Sequence, residues 1–173
     1  MDEQYSRIIA PDSVPSAFRA TCDGFEVTGT IVIPQGQRAS DFINNQRHSF
    51  VLSNAEVTGA PALGSTFQEL ILIRDQILFF HLPEPVASAS SHRGDYTEKV
   101  KHRVRCIIAN WVVEGDLHLA DLADMHAFFN VARSAFIPLT DAVLEGPPGH
   151  RQASTLLVSQ QQMSAVAAVS ALG

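Results

Sequence analysis

The chain has 173 residues, a formal net charge of −6, 46% hydrophobic residues and 17% charged residues. This composition is typical of an ordinary globular protein and excludes a wholly disordered one. The acidic balance disfavours nonspecific binding to nucleic acid, and no apolar run approaches the roughly 18 residues that cross a membrane. No secretory pattern follows Met1, and the two cysteines are expected to be free thiols, so the sequence predicts a cytoplasmic protein with no membrane partner.

Residues 1–17 are interpreted as an N-terminal extension and residues 18–82 as a first β-rich unit. Asp23 and Gly24 separate two runs in which apolar and polar residues alternate. Both residues tolerate the positive φ of a tight turn, so a hairpin is expected there. Ser40 is placed to cap a short helix over 41–44. Further strands are expected at 50–57 and 67–81, the second with a bend at Arg74.

Residues 83–97 are rich in small residues, Pro and Gly, and are interpreted as a linker. Residues 98–173 then repeat the order of elements as a second unit: two strands, a helix and two more strands. The helix is expected to be capped by Asp121 and to carry an apolar stripe that includes Met125 and Phe129. The segment at 163–169 is either a last strand or a short Ala-rich helix.

The two units share residue types at matched positions, which indicates an internal duplication. The matched pairs are Cys22 and Cys106, Gly29 and Gly115, Phe42 and Phe128, Asn44 and Asn130, Phe50 and Phe136, and, after one residue of slip, Asn54 and Asp141. The sequence therefore predicts a mainly β fold with α (α+β), made of two tandem repeats of a small β-barrel-like ββαββ unit. We expect the repeats to pack about a pseudo-two-fold axis, as two copies in a symmetric dimer do.

The motifs between residues 21 and 80 resemble those of the Sm-like small β-barrel family. The matching residues are Gly29, Asp41, Asn44, the run Asn54-Ala55-Glu56 and the run Ile73-Arg74-Asp75-Gln76-Ile77. This unit is also similar to uncharacterised single-copy bacterial domains. The Sm-like resemblance implies a bent second strand at Gly29 and contact with RNA near Asn44 and Arg74. The second unit has no arginine at the position of Arg74.

A run of alternating cations is the main candidate for a binding surface. Its members are Lys99, Lys101, Arg103 and Arg105. In a strand with a side-chain period of two, all four project from one face. Such a face either contacts phosphates or an acidic partner, or is a solvated face or a charged edge that resists pairing. The partner could also be internal, because the first unit carries the excess negative charge.

No catalytic, metal or cofactor site is predicted. Four residues of metal-ligand types fall close together: His118, Asp121, Asp124 and His126. On a helix, however, the spacing does not bring either carboxylate to the same side as His126. Cys22 and Cys106 lie in apolar strand patterns that do not activate a thiol, and motifs for phosphate binding or a nucleophilic serine do not occur.

These observations predict a non-enzymatic interaction or assembly module whose partner is another protein or a second copy of the chain. Self-association through exposed strands is expected. Two alternatives stay open: a nucleic-acid-binding protein that uses the basic strand face, and a small-molecule-binding protein with a pocket between the two units.

Overall fold

The computed structural model describes residues 13–60, 65–82, 99–120, 124–131, 135–147 and 149–169. The strands in this part of the chain are β1 (Ser13–Cys22), β2 (Glu26–Pro34), β3 (Ser49–Thr58), β4 (Thr66–Ile73), β5 (Ile77–Leu82), β6 (Lys99–Ile108), β7 (Trp111–Ala120), β8 (Phe136–Gly146), β9 (Gly149–Ser159) and β10 (Met163–Ala168). The helices are α1 (Ala39–Asn45) and α2 (Met125–Val131), and a 3-10 turn at Arg74–Gln76 separates β4 from β5. We call β1–β5 with α1 the first half and β6–β10 with α2 the second half.

The strands form one antiparallel sheet in the order β10-β6-β7-β8-β9-β5-β1-β2-β3-β4. The expected α+β fold of two barrel-like ββαββ repeats is therefore wrong. The described fold is nearly all β, because each helix has only seven residues and forms no layer of its own. Separate barrels would each close on themselves, whereas here β5 pairs with β9 and joins both halves into one open sheet.

The expected pseudo-two-fold relation is also wrong. A two-fold axis would place like strands side by side at the junction, for example β5 beside β10. Instead, the strands of the two halves follow one another in the same order across the sheet: β10-β6-β7-β8-β9 in the second half and β5-β1-β2-β3-β4 in the first. The fourth strand of the second half therefore pairs with the fifth strand of the first half, which is a head-to-tail relation.

The two halves have separate hydrophobic cores that meet at the junction. The first core contains Phe18, Phe50 and Phe80, whose rings contact one another edge-on or tilted. The second core is built around Trp111 and includes Phe79, which packs edge-on against the indole at 5.3 Å between ring centroids. Because successive side chains of a strand point to opposite faces, neighbouring residues of β5 contribute to different cores.

Both halves contain the same β-bulge. The register between β2 and β3 shifts at Gly29, opposite Asn54, and the register between β7 and β8 shifts at Gly115, opposite Asp141. Asn54 and Asp141 both have φ 50°, a left-handed conformation that Asn and Asp tolerate. A Cβ on Gly29 would lie 3.2 Å from the carbonyl oxygen of Ser53, so the bulge brings the two backbones too close for a larger residue.

Several local expectations are confirmed and others need correction. The hairpin at Asp23 and Gly24 and the helix near 41–44 are present, but Ser40 does not cap the helix, which begins after Arg38 without a side-chain cap. The segment from Met163 is a strand. The linker at 83–97 and the predicted cap Asp121 lie outside the described residues. None of the described helices is long and apolar enough to span a membrane.

Candidate assembly interface

Three of the four cations of β6 form ion pairs within the sheet. Lys101 lies 3.6 Å from Asp116, Arg103 lies 3.1 Å from both Glu114 and Asp116, and Arg105 lies 2.8 Å from Glu114. Hydrogen bonds from Arg105 and Arg103 hold the pKa of the Glu114 carboxyl below its usual range. The internal partner of these cations is thus β7 of the same half, rather than the more acidic first half.

The position of β6 explains why these charges do not form a free edge. β6 lies between β7 and β10, so its backbone is paired on both sides. Lys99, the first cation of the run, is exposed and stands opposite Ala120 in the register. The alternating run is therefore a charged face of an inner strand and not a charged edge that resists pairing.

Asn44 and Arg74 meet at the junction between the halves. The Asn44 side-chain amide donates to the carbonyl oxygen of Phe136 at 3.1 Å, and its oxygen accepts from the Phe136 N–H at 2.9 Å. The Arg74 guanidinium donates to the Asn44 carbonyl oxygen at 3.3 Å and lies over the Phe136 ring, 5.5 Å from its centroid. These two residues therefore clamp the start of β8 to the end of α1.

The strand pairing at the junction buries both faces of the sheet. Phe79 stands opposite Val158, Phe80 opposite Leu157, and all four side chains are at most 1% exposed. Phe136 and Leu157, although they belong to the second half, lie in the first core, where Phe136 contacts Phe80 at 4.8 Å between ring centroids. The second half thus completes the core of the first.

The register identifies equivalent residues in the two halves. Arg74 N–H donates to the His48 carbonyl, and Gln160 N–H donates to the Ala135 carbonyl at the corresponding place. Counting from the left-handed residues Asn54 and Asp141, β3 and β4 superimpose on β8 and β9 so that Ser49 corresponds to Phe136. Phe50 corresponds to Ile137, so the matching of Phe50 with Phe136 from sequence is off by one residue. This shift of one residue decides which of the two cores the side chain enters.

The outer strands of the described sheet are β4 and β10, and β4 exposes residues whose counterparts are buried. Ile71 is 60% exposed, whereas Leu157, the equivalent residue of β9, is 0% exposed. Ile73 is 52% exposed, whereas the equivalent Ser159 is 4% exposed. The difference arises because β5 pairs with the outer side of β9, whereas no described strand pairs with the outer side of β4. Periodicity cannot reveal it, since both segments read as apolar strands.

The second core is less complete than the first on the side of β10. Ile43 of α1 is 3% exposed, while Phe129, its equivalent in α2, and the neighbouring Phe128 are only partly buried. No residue of α2 is buried. The first core gains Phe136 and Leu157 of β8 and β9, and the second core gains Leu78 and Phe79 of β5. In the second core, no described residue takes the place that Phe136 and Leu157 have in the first.

A cleft of about 410 Å³ lies between the halves, beside the β1–β2 and β6–β7 turns. Glu26 and Arg151 form an ion pair across it, and the Arg151 guanidinium lies 5.8 Å from the Trp111 ring centroid. Cys22 lines the cleft, but burial raises the pKa of its thiol to about 12, so the thiol is a poor nucleophile near neutral pH. The lining of the cleft is partly apolar.

Of the four residues of metal-ligand types singled out in the sequence, Asp121 lies outside the described residues. In the described part of the chain, no three His, Cys, Asp or Glu side chains come together in a group that could hold a metal ion. His118 instead contacts the Thr140 hydroxyl at 2.8 Å.

Comparison of the chain with family models, with curated proteins and with solved structures returned no significant match.

Proposed function

We propose that this protein is a non-enzymatic assembly module that self-associates by strand addition at β4 and β10, the outer strands of the described sheet. The observation that carries the proposal is the exposure of Ile71 and Ile73 on β4, at positions that strand pairing buries in β9. An edge strand with unpaired backbone groups and exposed apolar side chains is a template for another strand.

The two outer strands of the described sheet carry few of the features that usually prevent such pairing. β10 contains no charged residue and no proline, and β4 contains one charged residue, Glu69, with no lysine and no proline. Val51, opposite Ile71 on β3, is also exposed and extends the apolar surface inward from the edge. The cations that would protect an edge lie on the inner strand β6, where they are paired with acids of β7.

The test is the molar mass of the full chain as a function of concentration, measured by light scattering and sedimentation. The wild-type mass is expected to rise above that of the monomer, and Ile71→Lys to hold the chain monomeric by placing a charge on the edge. Val32→Lys, at an exposed position of the inner strand β2, is the matched control and should associate like the wild type. A wild-type chain that stays monomeric, or an Ile71→Lys chain that associates normally, overturns the proposal.

A second candidate function is the binding of a small planar molecule in the cleft. It is favoured by the Glu26–Arg151 pair, which brings both charges to a cleft whose lining includes Trp111. Trp111 is the single tryptophan of the chain, so its fluorescence reports directly on the cleft. A metabolite panel should quench it in the wild type and not in Arg151→Met; no response to any compound removes this candidate.

Nucleic-acid binding through the β6 face has less support, because Lys101, Arg103 and Arg105 already have carboxylate partners. Binding that falls steeply with added salt would restore it.

A further inference from the structure

The internal junction is a template for an intermolecular one, because its strand pairing and its asparagine clamp have counterparts at the two outer strands of the described sheet. In the junction, the fourth strand of one half (β9) pairs with the fifth strand of the other (β5). The fourth strand of the first half, β4, and the fifth strand of the second half, β10, are the two outer strands of the described sheet. Two copies of the chain can therefore repeat the same pairing between them.

The asparagine clamp recurs as well. Asn130 occupies the position in α2 that Asn44 occupies in α1, and Ser49 corresponds to the clamped residue Phe136. Asn130 is exposed, and within the described chain its amide contacts only the His126 imidazole of its own helix, at 3.1 Å. The donor and acceptor that Asn44 uses across the junction are thus available on Asn130 for the backbone of Ser49 in another copy.

The side chains at the two free edges are complementary in size. Transferring the β5–β9 register to β10 and β4 places Ala167 opposite Leu72 and Ala168 opposite Ile71. The small residues of β10 leave room for the isoleucines of β4, as facing large and small residues do in packed interfaces. Ile71 would then enter the incomplete second core near Phe129, as Leu157 enters the first core.

We infer that the partner is a second copy of this chain, whose β10 adds antiparallel to β4 while its Asn130 bonds the Ser49 backbone as Asn44 bonds that of Phe136. This inference rests on the proposed self-association and specifies its geometry. The joint is head-to-tail, so each added copy presents a new outer β4 or β10, and the assembly grows as a closed ring or as an open filament. The joint buries alanines where the internal junction buries Phe79 and Phe80, so it is weaker and reversible.

Two variants, each blocked at one edge, test the geometry. Ile71→Lys blocks β4. Ala168→Pro blocks β10: the Val169 N–H donates to Arg103 on the inner side, so the alternate N–H of Ala168 points outward and its loss spares the pairing with β6. Each variant alone should be monomeric. An equimolar mixture should form a heterodimer that grows no further, because one intact β4 meets one intact β10.

The outcomes separate this inference from the proposed function. If Ala168→Pro alone still associates while Ile71→Lys does not, β4 pairs with β4 or with another strand, and the head-to-tail joint is overturned although edge pairing stands. A mixture that stays monomeric overturns the inference when wild-type chains associate. Formation of the heterodimer itself shows that both variants are folded.

The clamp is tested by adding Asn130→Ala to the Ile71→Lys chain, because that chain supplies β10 and α2 to the heterodimer. Its dissociation constant should rise about tenfold or more, as expected for the loss of two hydrogen bonds. His126→Ala in the same chain removes only the contact within α2 and should leave the constant unchanged. An unchanged constant for Asn130→Ala overturns the proposed clamp.

Discussion

The same structural position has opposite environments in the two halves of this protein. Leu157 on β9 is buried because β5 pairs with its strand, whereas the equivalent Ile71 is the most exposed large apolar residue of the outer strand β4. Asn44 clamps a backbone across the junction, whereas the equivalent Asn130 contacts only its own helix. The comparison teaches that burial in this sheet depends on the neighbouring strand rather than on the sequence of the strand itself.

The largest expected effect concerns the buried member of the first pair. Leu157→Ala should lower the free energy of unfolding by about 3 kcal/mol, because it opens a cavity in the first core. Ile71→Ala should lower it by less than about 1 kcal/mol in the monomer, since little area is lost from a mostly exposed side chain. Urea unfolding at low protein concentration measures both values, and equal losses would contradict the difference in burial between the two positions.

The second effect is a pH dependence confined to the junction. Burial, with a smaller contribution from the charge of Arg19, lowers the pKa of His81 to about 4, from about 6.5 in an unfolded chain. As the pH falls from about 6.5 to 4, the unfolded chain gains a proton that the native imidazole does not, so stability is lost over that window, by about 2 to 3 kcal/mol.

Replacement of His81 by valine, the residue of its β10 equivalent Val169, should remove this loss. Urea unfolding across the window gives the difference between the wild-type and variant profiles. Parallel profiles would show that His81 does not cause the loss.

The two asparagines give a third contrast. Asn44→Ala should cost about 1 to 3 kcal/mol, because the N–H and carbonyl of Phe136 lose their side-chain partner in a partly buried place. Asn130→Ala should change monomer stability by no more than about 0.5 kcal/mol. Thermal or urea unfolding of the dilute proteins measures both; a large cost at Asn130 would mean that this residue already has a structural role within one chain.

The smallest effect concerns the charged face of β6. Glu114→Gln should cost about 0.5 to 1 kcal/mol near neutral pH, the range of a well-placed exposed ion pair. The native pKa of Glu114 is depressed, so its stabilisation is present above the usual glutamate pKa and disappears as the pH falls through the lower, native value. The free energies of unfolding of the wild type and of Glu114→Gln are compared at pH 7 and at pH 3. If their difference is the same at both pH values, the role assigned to these ion pairs is wrong.

Local structure was accessible from the sequence where the signal lies within a few residues. Asp23 and Gly24 predict the first hairpin, and the alternation of β2 predicts its buried face. The correspondence of Gly29 with Gly115 and of Asn54 with Asp141 marks the two bulges, because a close backbone approach and a left-handed conformation restrict the residue types allowed. The helices were also placed, although they are too short to support the predicted α+β class.

The candidate site could be found only in part. Asn44 and Arg74 were selected, but for RNA contact rather than for the clamp on Phe136, because their partner lies far away in sequence. The alternation of Lys101, Arg103 and Arg105 correctly indicates a single charged face, yet the facing acids of β7 depend on the pairing register. The exposure of Ile71 had no signal in the sequence.

The sequence by itself determined most of the strands, the first hairpin turn and the residue types at the bulges, because these depend on side-chain periodicity and on the φ angles that individual residues tolerate. The tertiary structure alone decided that β5 pairs with β9, that Phe136 enters the other half's core, and that β4 and β10 are left at the ends of the described sheet. The physical reason is that backbone hydrogen bonds between strands are the same for every residue type, so the choice of neighbour depends on the packing of the whole chain.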